Sequence, residues 1–179
     1  MLIIYYDVGG AHSVQTAAGI HLNVLPQEGS PQPAELFKMK KFDNITKADY
    51  GRIIYAGTDE WGNNVYTLSC QYASPVVVPA IRDMHRLAGG NPHELLMVST
   101  LGTINTLMKI GGFTSRRLKW VSFGRPIVVR GTLQAYPQIA LLVSEVKELL
   151  PKLMEDNSWL KNSWASTYQD AQPEEIILH

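Results

Sequence analysis

The 179-residue chain has a single cysteine, Cys70. It can therefore form no internal disulfide and no thiolate metal cluster. Neither charge sign is in excess, since 16 lysines and arginines balance 16 aspartates and glutamates. A broad electrostatic surface for nucleic acid is not expected, though a local basic patch remains open. No apolar run approaches the roughly 18 residues of a membrane-spanning helix. The N-terminal apolar segment has no basic stretch before it and is interrupted by Asp7 and His12. Neither a signal peptide nor a membrane partner is expected, and a cytoplasmic location fits best. No internal repeat is visible. What is present is a 45% hydrophobic share, ample for a core in a chain of one-domain length.

Leu2 to Tyr6 is a continuous apolar and aromatic run, the pattern of a strand covered on both faces. Gly9 and Gly10 punctuate it, and apolar residues from Val14 to Leu25 then recur at helical spacing up to Pro26. QEGSPQPAE is a connection rich in turn formers. ELFKMKKF fits helix or strand, and NITKADYGR reads as a turn. Ile53–Ala56 and Val65–Leu68 flank Asp59–Asn64, the signature of a β-hairpin. SPVVVPAIRDMHRLAGG reads as a helix closed by Gly89 and Gly90. Asn91 is placed to cap a short turn with Pro92 at its first position. Leu95–Ser99 reads as a strand. Thr103–Ile110 reads as a helix ending at Gly111 and Gly112, and SRRL as a further helical turn. Trp120–Phe123 and Ile127–Val129 read as strands, and Ala135–Met154 as a long amphipathic helix. The alternation predicts a single three-layer-like α/β domain over residues 1–155, with a mixed, mostly parallel sheet, one β-hairpin and flanking helices. Residues 156–179 form an aromatic tail, disordered or docked.

The turn VGGAHSVQ carries the main functional expectation. A helix N-terminus exposes unpaired N–H groups and the positive end of its dipole, so it favours an anion. Glycines permit close approach of the backbone to a phosphate. Gly9 and Gly10 would supply that approach, while His12 and Ser13 stand where a phosphate loop places its lysine and hydroxyl. The full phosphate-loop pattern is absent, because the second glycine and the lysine are missing. The plainer reading of the same residues is a strand-to-helix turn in which Ser13 caps the helix. Both readings stay open, as does proton transfer by His12.

Other residues are weighed in the same way. Arg116 and Arg125 suit a phosphate or carboxylate through their planar donors, or they pair with surface carboxylates, as Arg130 is expected to do. Thr100 and Asn105 follow the Leu95–Ser99 strand and would reach the same rim, because open α/β sheets bind ligands beyond the carboxyl ends of their strands. Asp59 and Glu60 are more simply turn residues than an acid–base pair. Cys70 reads as a small buried hydrophobe rather than a nucleophile. His21 reads as a core or surface histidine. His85 and His93 lack ligand-like spacing, so no metal site is expected, and the cofactor is left unknown.

The segments GGAHS, TAAGIHLNVLP, IYAGTDEWGNNVY, STLGTINTLMKIGGFTSRRL and SFGRPIVVRGTLQAYP together resemble a family of bacterial proteins. Its members come mostly from spore-forming Firmicutes and carry a domain-of-unknown-function label. The resemblance covers roughly residues 1–147. The family's opening usually reads Gly-Gly, one residue, His-Ser and a second Ser, and Val14 departs from it at the last position. The resemblance implies a domain boundary and a bacterial cytoplasmic setting, and no activity.

Two functions are expected on these grounds. The first is binding of a small anion, whether phosphate, nucleotide or carboxylate, with possible phosphoryl or acyl transfer by His12 and Ser13. The second is a non-catalytic protein–protein interaction module using the C-terminal tail, with a sporulation role suggested by the resemblance. Whether the chain is an enzyme stays open at this point.

Overall fold

The computed structural model describes residues 1–109 and 121–163. Four strands form one sheet: β1 (Leu2–Asp7), β2 (Ile53–Thr58), β3 (Asn64–Ser69) and β4 (Leu95–Ser99), in the order β2-β3-β1-β4. β1 runs parallel to β3 and to β4, and β2 pairs antiparallel with β3. The helices are α1 (Ser13–His21), α2 (Ser74–Leu87) and α3 (Val121–Ser163). This is the expected mixed, mostly parallel sheet with a hairpin and flanking helices in one domain.

The layering follows from strand alternation, since successive side chains point to opposite faces. Ile3 and Tyr5 of β1 join Val65 and Val98 in a core shared with α1 and α3. Ile4 points the other way, where Leu68 and Met97 pack with Val78 of α2. β1 must therefore be apolar on both faces, which explains its unbroken hydrophobic run. All nine residues of α1 are buried, because it lies between the sheet and α3. The stripe of α3 that covers it includes Val129, Tyr136, Ile139, Val143, Val146 and Leu150. These positions recur at spacings of three and four along a helix, with only small departures. The prolines inside α3, at 126, 137 and 151, are all exposed. Water there can serve the carbonyl that loses its N–H partner.

The chain differs from its sequence pattern at several points. The apolar runs read as strands around residues 120–129 belong to α3, apart from Trp120, which lies outside the described residues. A short apolar run fits either period, and packing against α1 decides for the helix. α1 stops at His21 rather than Leu25. Leu22 ends it, Asn23 turns the backbone at φ +57°, and Val24 and Leu25 both donate to the Gly19 carbonyl. ELFKMKKF contributes a short 3-10 helix, Pro33–Lys38. After β4 comes a 3-10 turn, Leu101–Thr103, with helical structure at residues 106–109. The expected helix end at Gly111 and Gly112 and the SRRL turn lie outside the described residues. The segment read as a tail from residue 156 continues α3 as far as Ser163, and its remainder lies outside the described residues. No helix among the described residues is long and apolar enough to cross a membrane.

Candidate functional site

β1 lies between two parallel neighbours, with α1 following it onto one face and α2 following β3 onto the other. The carboxyl end of β1 is thus a point where the chain diverges, the usual ligand position in an open α/β sheet. Here that point is filled by a side chain of the strand itself. The Asp7 carboxylate accepts the Gly10 N–H through Oδ1 and the Ser13 hydroxyl through Oδ2, the latter at 2.5 Å. Thr100 donates to Ser13 Oγ at 3.0 Å, which ties the loop after β4 to the start of α1. Ser13 and Thr100 are fully buried. The helix begins at Ser13 and no side chain caps it, so the expected Ser13 cap does not form and its hydroxyl serves Asp7.

The glycine turn has its own structural cause. Gly10 has φ +67°, and a Cβ there would lie 2.7 Å from Ser69 Cβ. The close approach that glycine permits is made to β3. Two further bridges lock the turn. Gln15 donates to the Gly10 carbonyl at 2.9 Å and to Thr67 Oγ1 at 3.1 Å. Ser69 and Gln71 both donate to the Val8 carbonyl. Gly9 is half-buried in the same turn.

Beside this plug lies a more open group. His12 Nε2 is 3.2 Å from Asp43 Oδ1, and Arg125 Nε donates to Asp43 Oδ2 at 2.9 Å. Asp43 sits at φ +52°, and its N–H bonds the Ala11 carbonyl. Burial opposes the Asp43 charge, but the hydrogen bonds from His12 and Arg125 outweigh it and hold the carboxyl below its usual range. The Arg125 guanidinium also lies over the Phe37 ring at 5.5 Å. Phe37 meets Phe42 edge-on, and Phe42 meets His12 the same way. Arg125 is about half exposed, at 48%, and its terminal amino groups have no partner among the described residues. Its position is set by one hydrogen bond, to Asp43, and one ring, Phe37.

The profile of the protein family of unknown function DUF3189 matches residues 2–148. The chain belongs to that family. No curated protein and no solved structure matches it.

The remaining sequence candidates fall in different places. Asn105 uses both ends of its amide, donating to the Gly131 carbonyl at 2.7 Å and accepting the Met108 N–H at 2.9 Å. It joins the turn after β4 to α3. Arg116 lies outside the described residues. Cys70 is buried, and burial followed by the Asp7 charge pushes its thiol up to about 11, so no thiolate forms near neutral pH. Among the described residues no three His, Cys, Asp or Glu side chains could hold a metal ion together.

Sequence reasoning missed Asp7 and Asp43. Asp7 could have been suspected as the last residue before the glycine pair, whereas Asp43 stands in a loop 31 residues from His12 with no local signal. It also missed a buried relay on the far side of α1. Tyr5 Oη lies 2.8 Å from His21 Nδ1, and His21 Nε2 lies 3.1 Å from Asp59 Oδ2. Burial, then the Asp59 charge, pushes the Tyr5 phenol upward, so it keeps its proton and donates to Nδ1. The Nε2–H of a neutral imidazole then donates to Asp59. Burial also lowers the His21 pKa despite the Asp59 carboxylate.

This relay sets a pH dependence. The folded pKa of His21 lies below its ordinary 6.5. Above pH 6.5 both folded and unfolded chains hold it neutral, and its full contribution is present. As pH falls from 6.5 towards the folded value, the unfolded chain takes up a proton that the folded chain refuses, so stability is lost. Asp43 and Asp59, both held below their ordinary 3.8, act in a lower window. Their contribution is present above pH 3.8 and is lost as pH falls through their folded values. Urea unfolding across this range should show an acid loss that begins near pH 6.5. His21→Gln should remove that first stage and leave the second. A stability curve flat down to pH 4, or unchanged by the substitution, contradicts the assignment.

Proposed function

We propose that the protein binds a small ligand carrying a phosphate or carboxylate at the carboxyl edge of the sheet. The seat is the Arg125–Asp43–His12 rim, and the buried Gly10–Asp7–Ser13–Thr100 plug forms its floor. The observation that carries this reading is the posture of Arg125. A guanidinium anchored through Nε and resting on an aromatic ring loses little freedom when its outer donors meet two oxygens. The turn amides are not the receptor in this reading, because Asp7 already supplies an anion to Gly10 and a second carboxylate-sized anion beside it would be repelled.

If the ligand is transformed, His12 is the residue for proton transfer. Ser13 supports the floor, since its hydroxyl is buried and committed to Asp7. Phosphoryl or acyl transfer is the class of reaction that an arginine beside an imidazole serves. A bacterial cytoplasmic setting accompanies this reading, on the resemblance of the opening segments.

Thermal shift with inorganic phosphate, nucleoside phosphates, sugar phosphates and dicarboxylates tests it. A ligand present at about 100 times its Kd should stabilise by roughly 2.7 kcal/mol. For a chain of this length that raises Tm by about 5–10 °C. Arg125→Ala should weaken binding of that ligand at least tenfold, and Arg125→Lys should restore only part of it. The reading fails if none of these anions shifts Tm, or if Arg125→Ala binds as tightly as the natural chain.

A further inference from the structure

The short 3-10 helix Pro33–Lys38 ends beside Arg125, and it leaves one large apolar side chain on the outside. Such a helix has about three residues per turn, so neighbouring side chains point roughly 120° apart. Leu36 is fully buried in the core, and Met39 and Phe42 are buried beyond it. Phe37 therefore points away from that core, and it is 42% exposed. The turn that directs it is held by Glu35, which accepts the Gln32 N–H at 2.9 Å and the Lys38 ammonium at 2.8 Å.

A lone exposed phenylalanine is ordinary. What distinguishes Phe37 is its neighbour. The ring keeps this exposure after meeting Phe42 edge-on at 5.3 Å and the Arg125 guanidinium at 5.5 Å. Arg125 is itself 48% exposed. Two flat groups, one apolar and one charged, thus lie side by side at the surface, with the buried Asp43 and His12 behind them.

The charges of this rim limit what a bare anion gains there. Asp43 Oδ2 accepts from Arg125 Nε at 2.9 Å, so a carboxylate already stands against the guanidinium on its inner side. An incoming anion is drawn by Arg125 and repelled by Asp43 a little further in, and solvent screens both. Tight binding then calls for a further contact. The half-exposed Phe37 ring lies next to the donors that would hold the anion.

We infer that the ligand of the Arg125 rim carries an aromatic ring close to its phosphate or carboxylate, and that Phe37 is the residue that selects it. The inference rests on the anion-binding reading of Arg125 and adds the chemical class of the ligand. A flat ring meets Phe37 offset-stacked or edge-on, and the guanidinium offers it a second flat surface. A nucleoside monophosphate and a simple aryl phosphate share this chemistry. Inorganic phosphate and sugar phosphates lack it.

Isothermal titration calorimetry on the full chain tests it with ligand pairs that differ in the ring. The pairs are 5′-AMP against ribose 5-phosphate, and phenyl phosphate against methyl phosphate. The aromatic member of at least one pair should bind about tenfold to a hundredfold more tightly than its ring-free counterpart. A preference in the first pair assigns a nucleoside, and one in the second pair alone assigns a simple aryl group. Phe37→Ala should erase the preference, while Phe37→Trp, which keeps a ring, should preserve it. The ratio within a pair is the readout, because losing the ring beside Arg125 acts on both members. Equal affinities within both pairs overturn the inference, and so does a preference that survives Phe37→Ala. Both results leave the Arg125 reading standing so long as the anions bind and Arg125→Ala weakens them. If no member of either pair binds, the inference and that reading fail together.

Discussion

Asp59→Ala is expected to destabilise the fold by about 3–5 kcal/mol at neutral pH and to lower Tm by roughly 6–20 °C. The carboxylate accepts the Asn63 N–H at 2.7 Å, the Asn63 amide at 2.9 Å, the Trp61 N–H at 3.0 Å and His21 Nε2 at 3.1 Å. Burial works against its charge, and these donors more than compensate, so its pKa stays below the usual range. Removing the carboxylate leaves several of these donors in a buried setting without an acceptor. It also releases the hairpin loop from α1. The neighbouring contacts of Glu60 and Trp61 with the buried Lys147 of α3 would have to hold that loop alone. Asp59→Asn, which keeps the shape but changes the donor pattern, should fall between the two. Urea unfolding at constant pH measures the difference. A loss below about 1 kcal/mol would mean that Asp59 is only a turn residue.

Gly10→Ala should cost about 2–5 kcal/mol by two separate routes. An alanine at φ +67° occupies a conformation that costs roughly 1–2 kcal/mol for a residue with a Cβ. The added carbon would also stand 2.7 Å from Ser69 Cβ and 3.1 Å from Ser69 Cα, so β1 and β3 would have to separate. Overpacking of this kind costs typically 1–3 kcal/mol. Gly62 separates the two routes, since it has φ +82° and nothing within 4 Å of a built Cβ. Gly62→Ala should therefore show only the conformational part. Equal losses in the two variants, read by calorimetry, would remove the close approach to Ser69 from the account. Anion binding, if the Arg125 rim is the seat, should survive Gly10→Ala in the fraction that folds.

Both predictions rest on residues that the sequence presents plainly but does not explain. Gly10 is legible as a turn glycine, and its neighbour Ser69 is not, because parallel pairing brings β3 beside β1 from 59 positions away. The hairpin was legible for a local reason: turn formers between two β-rich runs specify it without outside help. The strand of β1 was legible because burial on two faces leaves an unbroken apolar run. The opposite case is the segment around residues 121–129, where β-branched residues suit a strand and only packing of Val128 and Val129 against the core makes a helix of it. Among the candidate site residues, His12, Ser13 and Thr100 lie at one edge of the sheet, and Arg125 joins His12 through Asp43.

By itself the sequence determined the class of the fold, the order of its elements as far as β4 and the glycine turn, because these depend on residue periodicity and backbone freedom over a few positions. Only the tertiary structure decided what the turn contains. Whether an amide meets a ligand or an internal carboxylate depends on where Asp7, Asp43 and Arg125 arrive in space, and the contacts that bring them together span up to 82 residues. Such contacts leave no local pattern, since they are selected by the packing of α1, α3 and the sheet as one body.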